Sequence, residues 1–202
     1  MKEYVLQFNV CVIRLSSFRK GKICSADKFK MASLFLPDYM FDKFSDITPE
    51  FLQSIGVRTV LVDIDNTLAP YEAPDPNARV IKWFDDLKAV GINAALMSNN
   101  DATRVRRFNQ SLHLPAYFDC KKPSVKSYLD VLARLKCDRA DTCVIGDQIF
   151  TDVLVGKRLG LRAILVPPIR DKKTFFFKFK RFCEKPFVWY FKRQQVKKQF
   201  LQ

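Results

Sequence analysis

From Thr48 to Val166 short apolar runs alternate with segments of helical period, and that alternation leaves the chain few folds to choose from. Strands separated each time by a helix pair in parallel, with helices packed on both faces of the sheet. Thr48 and Pro49 have the character of an N-cap and a first helical residue. Phe51, Leu52 and Ile55 then face inward, and Gly56 ends the helix. Residues 58–63 form a first strand, and Pro74 and Pro76 mark a loop. Val80, Ile81, Phe84 and Leu87 recur at helical spacing between Ala78 and Val90, and Gly91 stops that helix. Ala94 to Met97 is a second strand. Residues 101–112 suit a helix with Ala102, Val105, Phe108 and Leu112 inward, and Tyr117-Phe118 a short strand. Residues 124–136 place Val125, Tyr128, Leu129, Leu132 and Leu135 on one helical face. Thr142 to Ile145 is a buried strand, 151–159 a helix and 162–166 the last strand. The expected fold class is α/β, a doubly wound parallel sheet.

Each strand of such a sheet delivers its next residues to one edge, where ligands bind. The first delivers Asp63-Ile64-Asp65-Asn66-Thr67, two carboxylates on the same side of an extended chain. Like charges held so close are costly unless a cation or a shared proton offsets them. Later strand ends deliver Ser98 and Asn99, then Lys122, then Asp147 with Asp152. Each has an ordinary structural use: a strand-end or turn acid, a helix cap, a solvated lysine. Together they form a set for phosphoryl transfer. Asp63 can attack phosphorus and carry an aspartyl-phosphate, while Asp65 serves as acid and base. Thr67, Ser98 and Asn99 can hold phosphate oxygens, with Lys122 neutralising charge. Asp147 can bind Mg²⁺.

The order DxDxT, a strand ending in Ser, Lys-Pro, then GDxxxxD resembles the haloacid dehalogenase (HAD) superfamily over roughly residues 36–170. More closely, Leu36-Pro37-Asp38, Ile47-Thr48-Pro49, Asp63-Ile64-Asp65-Asn66-Thr67-Leu68, Ser98-Asn99-Asn100, Lys122-Pro123 and Gly146-Asp147-Gln148-Ile149-Phe150-Thr151-Asp152 resemble the YqeG family of subfamily IIIA phosphatases. That resemblance implies Asp63 as nucleophile and Asp65 as acid and base. Mg²⁺ would sit on Asp63, the Asp65 carbonyl and Asp147, with Asp152 supporting the site. Relatives in mitochondria and plastids dephosphorylate phosphatidylglycerophosphate, so a membrane lipid phosphate is the implied substrate. Lys157 departs from the family pattern, where an Asn is expected.

The steps from Thr67 to Ser98, Ser98 to Lys122 and Lys122 to Asp147 span 31, 24 and 25 residues, each filled by one helix with a strand or loop. No cap domain fits, so the site is expected to be open to a phosphate on a large body: a lipid headgroup, a protein or a nucleic-acid end. The net charge of +14 is carried by the ends: +5 in residues 1–30, +9 in 172–202 and none in 31–171. This favours an anionic surface as a partner over a basic groove across the fold. Residues 1–30 are expected to be a basic extension, with an organellar transit peptide or a misassigned start as alternatives. Residues 31–171 then form the phosphatase domain and 172–202 a basic, aromatic helical tail. Helical spacing aligns Phe175, Phe179 and Phe182, then Phe187, Tyr190 and Phe191, and Pro186 is expected to divide the tail into two helices. The composition suits an anionic membrane interface. The aromatics packing back on the sheet, or binding single-stranded nucleic acid, are the alternatives. No run of 18 apolar residues spans a membrane, and six cysteines without CxxC spacing favour reduced thiols. The expectation is a cytoplasmic, membrane-associated enzyme. A non-enzymatic RNA- or ribosome-binding protein on the same scaffold is the rival from another class.

Overall fold

Val60, Leu61 and Val62 form the centre of the sheet and are wholly buried. The structure, a computed structural model, describes residues 33–170 and 175–199, with side chains at 175–177 and 195–199 outside the description. The expected extension at 1–30 lies outside the described residues. Six parallel strands are described: β1 (Tyr39–Met40), β2 (Thr59–Val62), β3 (Asn93–Met97), β4 (Ala116–Tyr117), β5 (Thr142–Gly146) and β6 (Arg162–Leu165). Their order across the sheet is β1-β6-β5-β2-β3-β4. The helices are α1 (Pro49–Ser54), α2 (Ala78–Ala89), α3 (Ala102–Asn109), α4 (Lys126–Leu135), α5 (Leu154–Leu159) and α6 (Phe175–Gln199). The α/β, parallel, doubly wound architecture is therefore present.

Period-2 alternation assigns the two faces. Val60 and Val62 point into a core with Leu52 of α1, Val80, Trp83, Phe84 and Leu87 of α2, and Val105 and Phe108 of α3. Leu61 points the other way, to Tyr128, Val131 and Leu132 of α4 and Val155 and Leu159 of α5. Buried on both faces, the central strands are buried at every position and, after an opening threonine, read as apolar runs instead of alternating. Helix starts are fixed by side-chain caps: Thr48 Oγ1 accepts from Phe51 N, Asn77 Oδ1 from Val80 N, and Asp101 Oδ1 from Arg104 N. No helix among the described residues is long and apolar enough to cross a membrane.

Four local expectations are corrected. Leu129 is exposed and Val131 is buried, so the inner face of α4 is turned one step from the expected one. β1 was not anticipated; its two residues are too few to show a period, and register with Ile164 and Leu165 places it. The helix expected at 151–159 begins as a π-helical turn, Ile149–Val153, before the regular helix at Leu154. Pro186 does not divide the tail: α6 is one helix with the proline inside it. A proline there removes an N–H and crowds the carbonyl of Phe182, at a cost of about 3 kcal/mol. Contacts on both sides offset that cost. Arg181 and Glu184 bind the body before Pro186, while Phe187 and Val188 after it pack on Ile149, Val153, Ala163 and Leu165. Phe187 also lies against Phe35 and Phe150, with ring centroids 5.3 and 6.1 Å apart.

Candidate active site

The ends of β2, β3 and β5 and the segment after β4 meet at one edge, as the parallel topology requires. Asp63 leaves β2 with its N–H donating to Ile145 O of β5 at 2.9 Å. Its Oδ2 accepts from the Thr67 hydroxyl at 3.2 Å. Asn66, in the left-handed region at φ 66°, turns the chain so that Thr67 can reach back. Lys122, only 4% exposed, is the buried cation of the site and not the solvated surface residue a lone lysine would be. Its Nζ donates to Asp63 Oδ1 at 2.5 Å, Asp152 Oδ1 at 2.7 Å and Met97 O at 2.9 Å, which uses all three protons. Asp152 is aimed inward by the π-helical turn. Its Oδ2 accepts from Gln148 N and Thr151 Oγ1, each at 3.2 Å. A Cβ at Gly146 would fall 2.3 Å from Asp152 Cγ, so the end of β5 must be glycine for Asp152 to sit there.

Asn99 ties two of these segments together. Its carbonyl accepts from Lys122 N at 2.7 Å and its amide donates to Lys122 O at 3.3 Å. Asp65 stands apart from the buried cluster. Its Oδ2 accepts from Ser98 Oγ and Asn100 Nδ2, each at 3.4 Å. Its Oδ1 accepts from Arg104 Nε at 3.3 Å and Nη2 at 3.2 Å. The two carboxylates of the DxD pair therefore have different surroundings: Asp63 faces a lysine among acids, Asp65 a guanidinium, an amide and a hydroxyl.

Asp63, Asp147 and Asp152 each offer a carboxylate oxygen, and these lie within 4.8 Å of one another. Burial pushes the Asp63 carboxyl up to about 8; Lys122 pulls it down, while Asp152 and Asp147 push it up further. Burial likewise raises Asp147 to about 6, against the pull of Arg181. Burial by itself lowers the Lys122 ammonium, but Asp152 and Asp63 outweigh it and hold the group well above its ordinary value. Asp147 Oδ1 is buried with no hydrogen-bond partner. An all-oxygen set with an orphaned carboxylate oxygen suits a hard divalent cation, so the residues fit such an ion.

Arg104, Asn100, Arg181 and Glu184 belong to this neighbourhood and were not anticipated. Arg104 had a signal: it stands one helical turn after the cap Asp101, on the helix that follows Ser98 and Asn99. Glu184 had another, as the sole acid between residues 172 and 202. Its Oε1 accepts from Ile149 N at 3.0 Å and Phe150 N at 3.4 Å, and its Oε2 from Arg181 Nη1 at 2.9 Å. Arg181 in turn donates to the Asp147 carboxylate through Nη2 and to Asp147 O through Nη1, the latter at 2.6 Å. Lys180 donates to Gln148 Oε1. The edge expected to be open is thus lined on the β5 side by α6, and Asp147 is 1% exposed. The departure at Lys157 also finds a role, since its Nζ meets Asp38 Oδ1 at 2.6 Å while Asp38 Oδ2 accepts from Ala163 N.

A family model described as HAD-hydrolase-like matches residues 119–168, which hold Lys122, Asp147 and Asp152. The probable phosphatase YqeG of Bacillus subtilis is 35% identical over 164 residues, covering 81% of this chain and 95% of that protein. A predicted HAD-like family hydrolase from Porphyromonas gingivalis aligns with a TM-score of 0.48 at 13% identity, over 57% of this chain and 94% of that one. The cobalt-bound deoxy-D-mannose-octulosonate 8-phosphate phosphatase (YrbI) of Haemophilus influenzae aligns with a TM-score of 0.44 at 16% identity, over 62% of this chain and 75% of that one. The length and identity of the match to the Bacillus protein, together with a complete set of motif residues on one sheet edge, decide the assignment: the chain belongs to the YqeG family and is a HAD-type phosphatase.

Proposed function

We propose that this phosphatase hydrolyses a phosphomonoester on a membrane lipid with the help of Mg²⁺, phosphatidylglycerophosphate being the substrate to test first. The observation that carries the reaction is the buried convergence of Asp63, Asp147, Asp152 and Lys122 at the sheet edge. Asp63 attacks phosphorus and becomes an aspartyl-phosphate. Asp65 gives its proton to the leaving oxygen and then takes one from the water that cleaves the intermediate. Lys122, already within hydrogen-bond reach of Asp63, offsets charge on the nucleophile and on the incoming phosphate. Thr67, Ser98 and Asn99 line the phosphate position, with Asn99 also holding the Lys122 main chain. The cation would be held by Asp63, the Asp65 carbonyl and Asp147, with Asp152 beside it. When bound it supplies charge neutralisation for the phosphate oxygens.

The lipid reading is supported by the resemblance stated above and by the outer face of α6. That face leaves Phe179, Phe182, Trp189 and Tyr190 exposed, with Phe182 at 67% and Trp189 at 60%. Lys178, Lys185, Lys192 and Arg193 are exposed on the same helix. Aromatic groups interleaved with cations suit an anionic lipid interface, each cation adding about 1 kcal/mol near the surface. The full chain is to be assayed with Mg²⁺ on phosphatidylglycerophosphate in anionic vesicles, a phosphopeptide and a 5′-phosphorylated oligonucleotide. The expected result is turnover of the lipid well above the other two. Faster turnover of the peptide or the oligonucleotide overturns the lipid assignment and leaves the phosphatase chemistry intact.

A further inference from the structure

Asp147 is gripped from outside the catalytic motifs. Arg181 of α6 donates to its carboxylate Oδ2 and also, at 2.6 Å, to its main-chain oxygen. One guanidinium therefore fixes both the backbone and the side chain of the same residue, a use of the planar fork that a lysine cannot reproduce. The other oxygen, Oδ1, is left buried and without a hydrogen bond. It belongs to the carboxylate that lies within 4.8 Å of the Asp63 and Asp152 ligand atoms. Arg181 is itself held by Glu184, which is buried and whose second oxygen caps Ile149 N and Phe150 N at the start of the π-helical turn. That turn continues to Asp152. Arg181 and Glu184 thus brace this segment at Asp147 and at the start of the π-helical turn that leads to Asp152.

We propose that Arg181, oriented by Glu184, is a positioning residue for the metal ligand Asp147: it occupies Oδ2 so that Oδ1 is presented to a divalent cation. This rests on the metal-assisted reading above. Hydrogen bonds from outside the ligand set fix the direction of a ligating carboxylate, and their loss typically weakens metal binding 10–100-fold. The opposite role, a guanidinium that occupies the cation's place and must leave, makes the opposite prediction.

The experiment is calorimetric titration of the full-length chain with Mg²⁺, repeated with Mn²⁺, for the unaltered protein and the variants R181A, R181K, E184Q and F182A. The expected dissociation constant rises 10–100-fold in R181A and by less in R181K and E184Q. It stays unchanged in F182A, one residue away on the exposed face of the same helix. In steady-state assays at saturating Mg²⁺, R181A is expected to recover most of kcat, because the arginine acts through Asp147 and not on the reacting phosphate. An unchanged or smaller dissociation constant in R181A overturns the proposal, the smaller value assigning Arg181 as a competitor of the cation. An equal rise in F182A also overturns it, by tracing the effect to the helix as a whole. Thermal melts of R181K separate misfolding from loss of positioning. An unaltered protein that binds neither cation would overturn the metal-assisted reading itself, whereas binding that R181A leaves untouched would sink this inference alone.

Discussion

Asp63 sits in a closed cluster with Lys122 and Asp152, while Asp65 two residues on is held by Arg104, Ser98 and Asn100. Removing each charge should therefore fail differently. D63N is expected to lower turnover by roughly 10³-fold or more on every substrate, since no neighbouring group can replace the nucleophile. D65N is expected to cost about 10²–10⁴-fold on an alkyl phosphate. It should cost far less on p-nitrophenyl phosphate, whose leaving group departs without a proton. Steady-state kinetics on the two substrates checks both, and equal losses for D65N would remove Asp65 from the acid role. At this scale the sequence carried the motif residues, because each follows a strand and its edge of the sheet is set by strand direction, Asp63, Ser98 and Asp147 directly and Lys122 and Asp152 a few residues on. Arg104 and Arg181 were not legible in the same way. Arg104 reaches Asp65 only because the Asp101 cap sets the rotation of α3, and Arg181 reaches Asp147 from 34 residues away. Nothing local distinguishes Arg181 from the cations beside it.

The helix α6 has two faces with separate consequences. Phe187 packs against Phe35 and Phe150 on the inner face, whereas Phe182 projects into solvent. F187A is expected to lower stability by about 2 kcal/mol through lost apolar burial, and F182A to leave it within about 0.5 kcal/mol. On anionic vesicles the order reverses, F182A losing more binding than F187A. Urea unfolding and vesicle sedimentation measure the two effects, and equal stability losses would place both rings on one face. Alternation of strands and helices was legible because burial on two faces imposes distinct periods. The continuity of α6 through Pro186 was not, since it depends on tertiary contacts that local propensity ignores. The π-helical turn at Ile149–Val153 escaped for a related reason: the inward pull on Asp152 comes from Lys122, from Gln148 N and from Thr151, and no helical period encodes it.

For the molecule as a whole, a divalent cation and the fold should be linked. The unfolded chain does not assemble Asp63, Asp147 and Asp152, so a cation at 100 times its dissociation constant is expected to raise unfolding free energy by about 2.7 kcal/mol. Urea titrations in Mg²⁺ and in EDTA test this, and D147N should abolish most of the difference. A stability that ignores Mg²⁺ would contradict a cation bound among these carboxylates. The charge distribution belongs to the same scale: residues 31–171 carry no net formal charge, so the attraction proposed toward an anionic surface would come from the flanks and is expected to weaken with salt. Finally, the strut from α6 to Asp147 has a temporal meaning. The ribosome makes Arg181 and Glu184 after the six described strands, the last of which ends at Leu165. A nascent chain can therefore complete these strands while the carboxylate of Asp147 is still unbraced, and on the positioning role proposed for Arg181 its cation site reaches full strength only once this late-made helix has docked.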